Sequence, residues 1–179
     1  MKGVVPLALA NTSLRVLRRV EPELAHSMAM HGLKLLRATW PAIQLGPATE
    51  VSCAGLRFSH PVGVAAGFDK DGDNLDAIGA IGFGHIEVGT VTPHAQSGNS
   101  KPRLFRIPAS CALINRMGFN SKGADYALKS LRRASYQGVR GVSIGKNATT
   151  LNNSCASAIT AAALSPSLEA DLNRPRGWA

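Results

Sequence analysis

Pro61-Val62-Gly63-Val64-Ala65-Ala66-Gly67-Phe68-Asp69-Lys70-Asp71-Gly72 decides how the rest of the chain is read. The stretch begins as a short apolar run and breaks into a charged turn, the pattern of a buried strand running into a loop. Asp73 to Ile81 is helical in character, and Gly84-His85-Ile86-Glu87-Val88-Gly89-Thr90 reads as a second strand. Ser121 is a natural helix N-cap, so Ser121 to Ala134 reads as a helix. Gly138 to Ile144 reads as a third strand. Strands alternating with helices argue for parallel strands joined by helical crossovers. No GxGxxG follows the first strand, so a dinucleotide-binding Rossmann unit is not indicated. The expected fold class is α/β, with a (β/α) barrel preferred.

Upstream, Val51 to Phe58 reads as a hairpin turning at Ala54-Gly55, and residues 1–48 read as a basic helical arm. Leu14, Leu17, Leu24, Met28, Leu35 and Leu36 recur at three- and four-residue spacing or its multiples, enough for one apolar stripe. Arg15, Arg18, Arg19, Lys34 and Arg37 surround it with positive charge. Pro22 sits where a helix start tolerates a missing N–H, and Trp40-Pro41 closes the segment. Spacing by itself favours packing of this stripe on the rest of the protein over an amphipathic arm lying on a membrane surface. Downstream, residues 49–150 hold the alternating elements, and 151–179 lose the alternation and read as a divergent, disordered tail.

The 179 residues suit one domain of ordinary size, and 45% hydrophobic residues suffice for a core. A net charge of +9 suggests an anionic partner or simply a solvated basic surface. With 5% aromatic residues and no helix-turn-helix or zinc pattern, nucleic acid is not an expected partner. Cys53, Cys111 and Cys155 are too far apart for metal-ligand spacing, so no metal is expected and the thiols read as free and mostly buried. The apolar start is short and interrupted by Pro6, weak for a signal peptide. No apolar run reaches the ~20 residues that span a bilayer.

In a parallel barrel, ligand groups sit at the C-terminal strand ends and in the loops that follow. The first strand ends in small residues that let backbone approach a flat ring, and Lys70 then places a cation at the rim. The second ends with the Thr90 hydroxyl. The third ends Ile144-Gly145-Lys146-Asn147, where the Asn147 amide suits the edge of a heterocycle. Between them, Leu113-Ile114-Asn115-Arg116-Met117-Gly118-Phe119-Asn120 reads as a loop able to hydrogen-bond a small planar acid.

Ala-Ala-Gly-Phe-Asp-Lys-Asp-Gly, Ile-Gly-Phe-Gly-His-Ile-Glu-Val-Gly-Thr-Val-Thr-Pro, Lys-Pro-Arg-Leu-Phe-Arg, Ile-Asn-Arg-Met-Gly-Phe-Asn and Ile-Gly-Lys-Asn, in this order, resemble the quinone-dependent (class 2) dihydroorotate dehydrogenases from about residue 10 to about residue 150. The resemblance implies the first strands of a TIM barrel behind a helical arm. It implies oxidation of dihydroorotate to orotate in pyrimidine biosynthesis, with FMN as cofactor and a membrane quinone as acceptor. By it, Ala66, Gly67, Phe68, Asp69, Lys70, Thr90 and Asn147 would contact FMN, and Lys70, Asn115, Arg116, Met117, Gly118 and Phe119 would contact orotate. His26 and Arg106 would line a quinone tunnel. The arm would then lie on the cytoplasmic face of the cell membrane.

One departure is large. A complete barrel needs roughly 250 residues, and only 32 follow Asn147. The family's serine base and its glycine-rich phosphate loops have no counterpart here, and neither Ser154 nor Ser157 stands in the base motif. No catalytic residue is therefore assigned. The expected consequence is an inactive chain with an open sheet edge, as a frameshift or early stop in the gene would leave it.

Overall fold

The computed structural model describes residues 7–39 and 49–150. The element order is α1 (Leu7–Leu17), α2 (Pro22–Thr39), β1 (Val51–Cys53), β2 (Leu56–Phe58), β3 (Val64–Asp69), α3 (Leu75–Gly79), β4 (His85–Val91), β5 (Leu104–Ile107), β6 (Ala112–Asn115), α4 (Ala124–Arg133) and β7 (Val139–Ile144). Strands β3, β4 and β7 form one parallel sheet in that order, with β4 in the middle. Because α3 and α4 lie between consecutive strands of that sheet, this is the βαβαβ core expected from the alternation of segments.

Alternation along β4 sets the layering. Ile86, Val88 and Val91 are buried and pack with Leu75 and Ile78 of α3 and Ala124, Ala127 and Leu131 of α4. Glu87 and Thr90 are half-buried, paired in register with Gly141 or bonded to Ser143 of β7. One face of the sheet is thus apolar and covered by helices, and the other carries polar side chains. Gly84, just before β4, packs against the His60 backbone: a Cβ there would lie 1.9 Å from the His60 carbonyl oxygen.

The structure corrects several boundaries. The helix expected over 73–81 is only Leu75–Gly79, because Asp69 holds the Asp73 and Asn74 amides in the turn before it. The helix expected from Ser121 begins at Ala124, with Gly123 at its cap. Ser121 instead accepts the Gly123 and Thr92 amides through its hydroxyl and is bridged to Gln96. The segment read as a loop from Leu113 starts as strand: β6 pairs antiparallel with β5, Leu104 opposite Asn115. Cys53 and Cys111 are free but exposed, not buried, because both sit in short hairpins outside the core.

The arm also departs from a single stripe. α2 packs through Ala25, Met30 and Leu33, while Leu14, Leu24, Met28 and Leu35 face outward. The α2 helix therefore carries two apolar faces, one against the barrel helices and one in solvent. It begins at Pro22 as expected, and Trp40-Pro41 lies outside the described residues, as does the tail from 151. No helix among the described residues is long and apolar enough to cross a membrane.

Candidate functional site

The C-terminal ends of β3, β4 and β7 open onto the turn 70–74, the segment 92–103 with the β5–β6 hairpin, and the residues after Ile144. Four side chains knit these together. Asn147 is buried; its amide nitrogen donates to the His94 carbonyl (2.8 Å) and to Gln96 Oε1 (3.0 Å), and its oxygen accepts the His94 amide (3.0 Å). Gln96 in turn donates through Nε2 to the Gly118 and Phe119 carbonyls (3.3 and 2.9 Å), and its Oε1 accepts the Ala148 amide. Asn147 thus reaches the 116–119 loop through Gln96. Both its amide protons are engaged within the protein, leaving acceptor capacity on Oδ1 alone.

Within that loop Phe119 has φ 52, a left-handed conformation uncommon for a bulky residue, and its side chain is exposed. Arg116 does not project freely: its Nε and one terminal nitrogen donate to the Pro102 carbonyl (3.3 and 3.0 Å). Met117 gives its carbonyl to the Asn99 amide, and Asn115 is exposed at the end of β6.

At the end of β3, Gly67 has φ 100, which glycine adopts without steric cost, and open space lies where a Cβ would project. Ala65 and Phe68 are exposed and Ala66 half-buried, its amide donating to Glu87 Oε2 at 3.2 Å. Asp69 is buried and its carboxylate is fully engaged, accepting the Asp73 and Asn74 amides and the Asn74 side chain. Burial raises its pKa against those hydrogen bonds. Lys70 is half-buried with no hydrogen bond to its ammonium among the described residues. Burial, then the positive field of Arg103, pushes its pKa down, opposed by Asp71 and Glu23. Thr90 Oγ1 lies 3.1 Å from Ser143 Oγ, a hydroxyl pair on the polar face of the sheet.

The arm docks beside these strand ends. His26 of α2 meets the Phe68 ring edge-on, centroids 5.3 Å apart. Arg106 of β5 donates to the Val20, Leu17 and Arg18 carbonyls (2.5, 3.1 and 3.3 Å), capping the C-terminal end of α1. Glu23 of α2 forms a two-bond pair with buried Arg103 (2.6 and 3.1 Å), whose other terminal nitrogen holds the Ser97 and Asn99 carbonyls. That pair holds the Glu23 carboxyl below the usual range.

The structure therefore joins Asn147 to the 116–119 loop, and His26 to Phe68. It sets Thr90 apart beside Ser143, and it gives Arg106 to the arm. Sequence reasoning missed Gln96, Arg103 and Glu23, which do most of the joining. Gln96 sits in a polar turn where its residue type carries no signal. The alternating charges of Glu23 and Arg103, 80 positions apart, could not be paired without the fold. Among the described residues no group of three His, Cys, Asp or Glu side chains is placed to hold a metal.

Comparison with known proteins bears on this arrangement. Residues 48–175 match the family model described as dihydroorotate dehydrogenase; the far end of the match lies within the stretch from 151 set apart on sequence. Curated proteins named dihydroorotate dehydrogenase (quinone) from Sodalis glossinidius and Proteus mirabilis are 50% and 51% identical over 139 residues, 76% of this chain. The chain spans 41% of the length of each. Among solved structures, DHODH from Eimeria tenella in complex with ferulenol is similar with a TM-score of 0.64 at 43% identity, over 73% of this chain and 37% of that one. The ligand-free form from the same organism gives 0.60.

Proposed function

The chain belongs to the dihydroorotate dehydrogenase family, and from that membership we propose that it supplies the amino-terminal share of a site that oxidises dihydroorotate to orotate with FMN and a quinone. The observation that carries the proposal is the end of β3. Gly67 leaves open space, Ala65 and Phe68 are exposed, and the Lys70 ammonium has no hydrogen bond among the described residues. These features fit a flat anionic cofactor: small residues for the ring, a half-buried cation for negative charge.

In this reading Ala66, Gly67, Phe68, Asp69, Lys70, Thr90 and Asn147 hold FMN, which when bound supplies the hydride-accepting ring. Asp69 acts by fixing the 70–74 turn, since its carboxylate is already engaged. Asn147 acts through its free acceptor and by anchoring Gln96. Lys70 also faces the substrate. Asn115, Arg116, Met117, Gly118 and Phe119 present the amide, backbone and aromatic groups for orotate, with Gln96 holding the loop in place. No base is assigned within residues 7–150.

We further propose that α1 and α2 lie on the cytoplasmic face of the cell membrane, with His26 and Arg106 beside the quinone path. The outward apolar residues Leu14, Val16, Leu24, Met28 and Leu35 support this. Liposome flotation of the chain with and without residues 1–48 tests it; equal flotation of both would refute it. The described sheet has open edges at β3 and β7, so the 179-residue chain alone is expected to be inactive. Dihydroorotate oxidation with a quinone acceptor tests this directly. Turnover by the purified chain would refute inactivity. FMN is expected to bind the chain only weakly, since the phosphate loops have no counterpart in it; quenching of FMN fluorescence measures this, and stoichiometric flavin on the purified chain would refute it.

A further inference from the structure

The loop after β6 is held from two sides. Gln96 takes the Gly118 and Phe119 carbonyls on the side of Asn147. On the other side stands the turn 97–99. The Asn99 amide donates to the Met117 carbonyl (3.0 Å), and the Asn99 side chain donates to the Arg116 carbonyl (2.8 Å). The fit between turn and loop is close. A Cβ on Gly98 would lie 2.3 Å from the Met117 carbonyl oxygen, and one on Gly118 would lie 2.7 Å from the Asn99 amide nitrogen.

What holds the turn is Arg103, a residue 6% exposed. One terminal nitrogen of its guanidinium donates to the Ser97 and Asn99 carbonyls (2.6 and 3.0 Å). Nε and the other terminal nitrogen donate to the two carboxylate oxygens of Glu23 on α2 (3.1 and 2.6 Å). The Arg103 carbonyl accepts the Arg116 amide (2.8 Å), so its backbone meets the loop directly. A guanidinium presents its donors as a rigid planar fork. With Glu23 fixing one edge of that fork, the other edge is fixed too, and with it the carbonyls of the turn. The seat of α2 is thereby passed through Asn99 to residues 116 and 117.

We propose that Arg103, oriented by Glu23 of the arm, is a positioning residue for the Arg116–Met117 half of the substrate loop. The proposal deepens the assignment of residues 115–119 to orotate and rests on it for its functional meaning. The seat of the arm then decides whether that half of the loop is in place to meet a substrate, while Gln96 holds the other half independently.

The test is nitrogen-15 relaxation of the folded full chain, followed by titration with orotate. Asn99, Arg116 and Met117 are expected to show order parameters of about 0.85, as rigid backbone does. Arg103→Lys keeps the cation and loses the fork. Glu23→Gln keeps the shape and loses the charge, and is the milder change should Arg103→Lys not fold. Each is expected to lower those three values below about 0.6, the flexible range, with Ile86 and Val88 of β4 staying rigid. Unchanged values in the loop, or a loss spread equally over β4, would overturn the proposal. Orotate is expected to shift the amide signals of residues 115–119 and to bind Glu23→Gln roughly tenfold more weakly, the cost of ordering about one residue of backbone on binding. Equal orotate affinity in the two chains would overturn the positioning role. Wild-type signals unmoved by orotate, with the loop loosened in both variants, would sink the orotate assignment and support the hold of Arg103 on the loop.

Discussion

Replacing Arg103 by alanine should detach the arm from the barrel at a cost measurable in a single unfolding curve. The Arg103 side chain is 7% exposed and that of Glu23 17%, so their pair is largely out of water. Truncation removes two charge-assisted hydrogen bonds to Glu23 and strips the Ser97 and Asn99 carbonyls of their donor. Lys101, 3.5 Å from Glu23 and 66% exposed, offers weak replacement. Breaking a buried pair by removing one partner costs about 3–5 kcal/mol, against a total stability of roughly 5–15 kcal/mol for a domain. Glu23→Gln keeps the shape and loses the charge, and should cost less, about 1.5–3 kcal/mol. The double variant should be clearly less than additive, because both changes remove the same contact. The assay is urea unfolding followed by circular dichroism. The Glu23 carboxyl titrates below 4.5 in the folded chain, chiefly through its hydrogen bond to Arg103. A depressed carboxyl stabilises above its unfolded value and loses that stability as pH falls through the folded one. The cost of Arg103→Ala should therefore shrink in acid below about pH 4. A loss under about 1 kcal/mol at pH 7, the range of an exposed pair, or strict additivity, would refute the reasoning.

Three further outcomes follow from the same geometry. Gly84→Ala should lower the unfolding free energy by about 1–3 kcal/mol, read as a lower urea midpoint, or prevent folding, since its Cβ would overlap the His60 backbone; an unchanged midpoint would show that the β4 entry is looser than described. Burial pushes the Tyr136 hydroxyl up to about 12, where it donates to the Phe83 carbonyl. Its tyrosinate absorbance should be missing near pH 10 in the folded chain and stability should fall as pH climbs from 10 towards 12; a Tyr136→Phe chain retaining that high-pH component would contradict the assignment. Lys70 titrates below 10.5, burial being the main cause. The unfolded chain then holds more protons across that window, so stability should rise with pH there, and Lys70→Met should flatten the slope; an identical slope in both chains would place the effect elsewhere.

Much of the frame was legible in the order of residues. The apolar run before Gly67 reads as a strand because it is short and breaks into a charged turn, and the order of strand-like and helix-like segments up to Ile144 carries the parallel sheet. The β1–β2 hairpin and the Pro22 helix start were equally local. Errors fell where tertiary partners override local preference. Ser121 has the chemistry of an N-cap, but its hydroxyl is taken by the Thr92 and Gly123 amides, and the helix begins later. The hairpin of β5 and β6 was hidden because its residues, including Phe105, Leu113 and Ile114, stay exposed and show no buried face.

The sequence by itself determined the family, the parallel alternation and the positions where strand ends place Lys70, Thr90 and Asn147, because these depend on residue types in short, ordered motifs. Only the tertiary structure decided how those positions are used. It set Asn147 and Gln96 to hold the 116–119 loop, turned Asp69 inward to its own turn, gave Arg106 to the end of α1, and pinned the arm through Glu23 and Arg103. The physical reason is that a polar side chain bonds whatever donor or acceptor the fold brings within about 3 Å. Distance of that kind is not encoded in spacing along the chain.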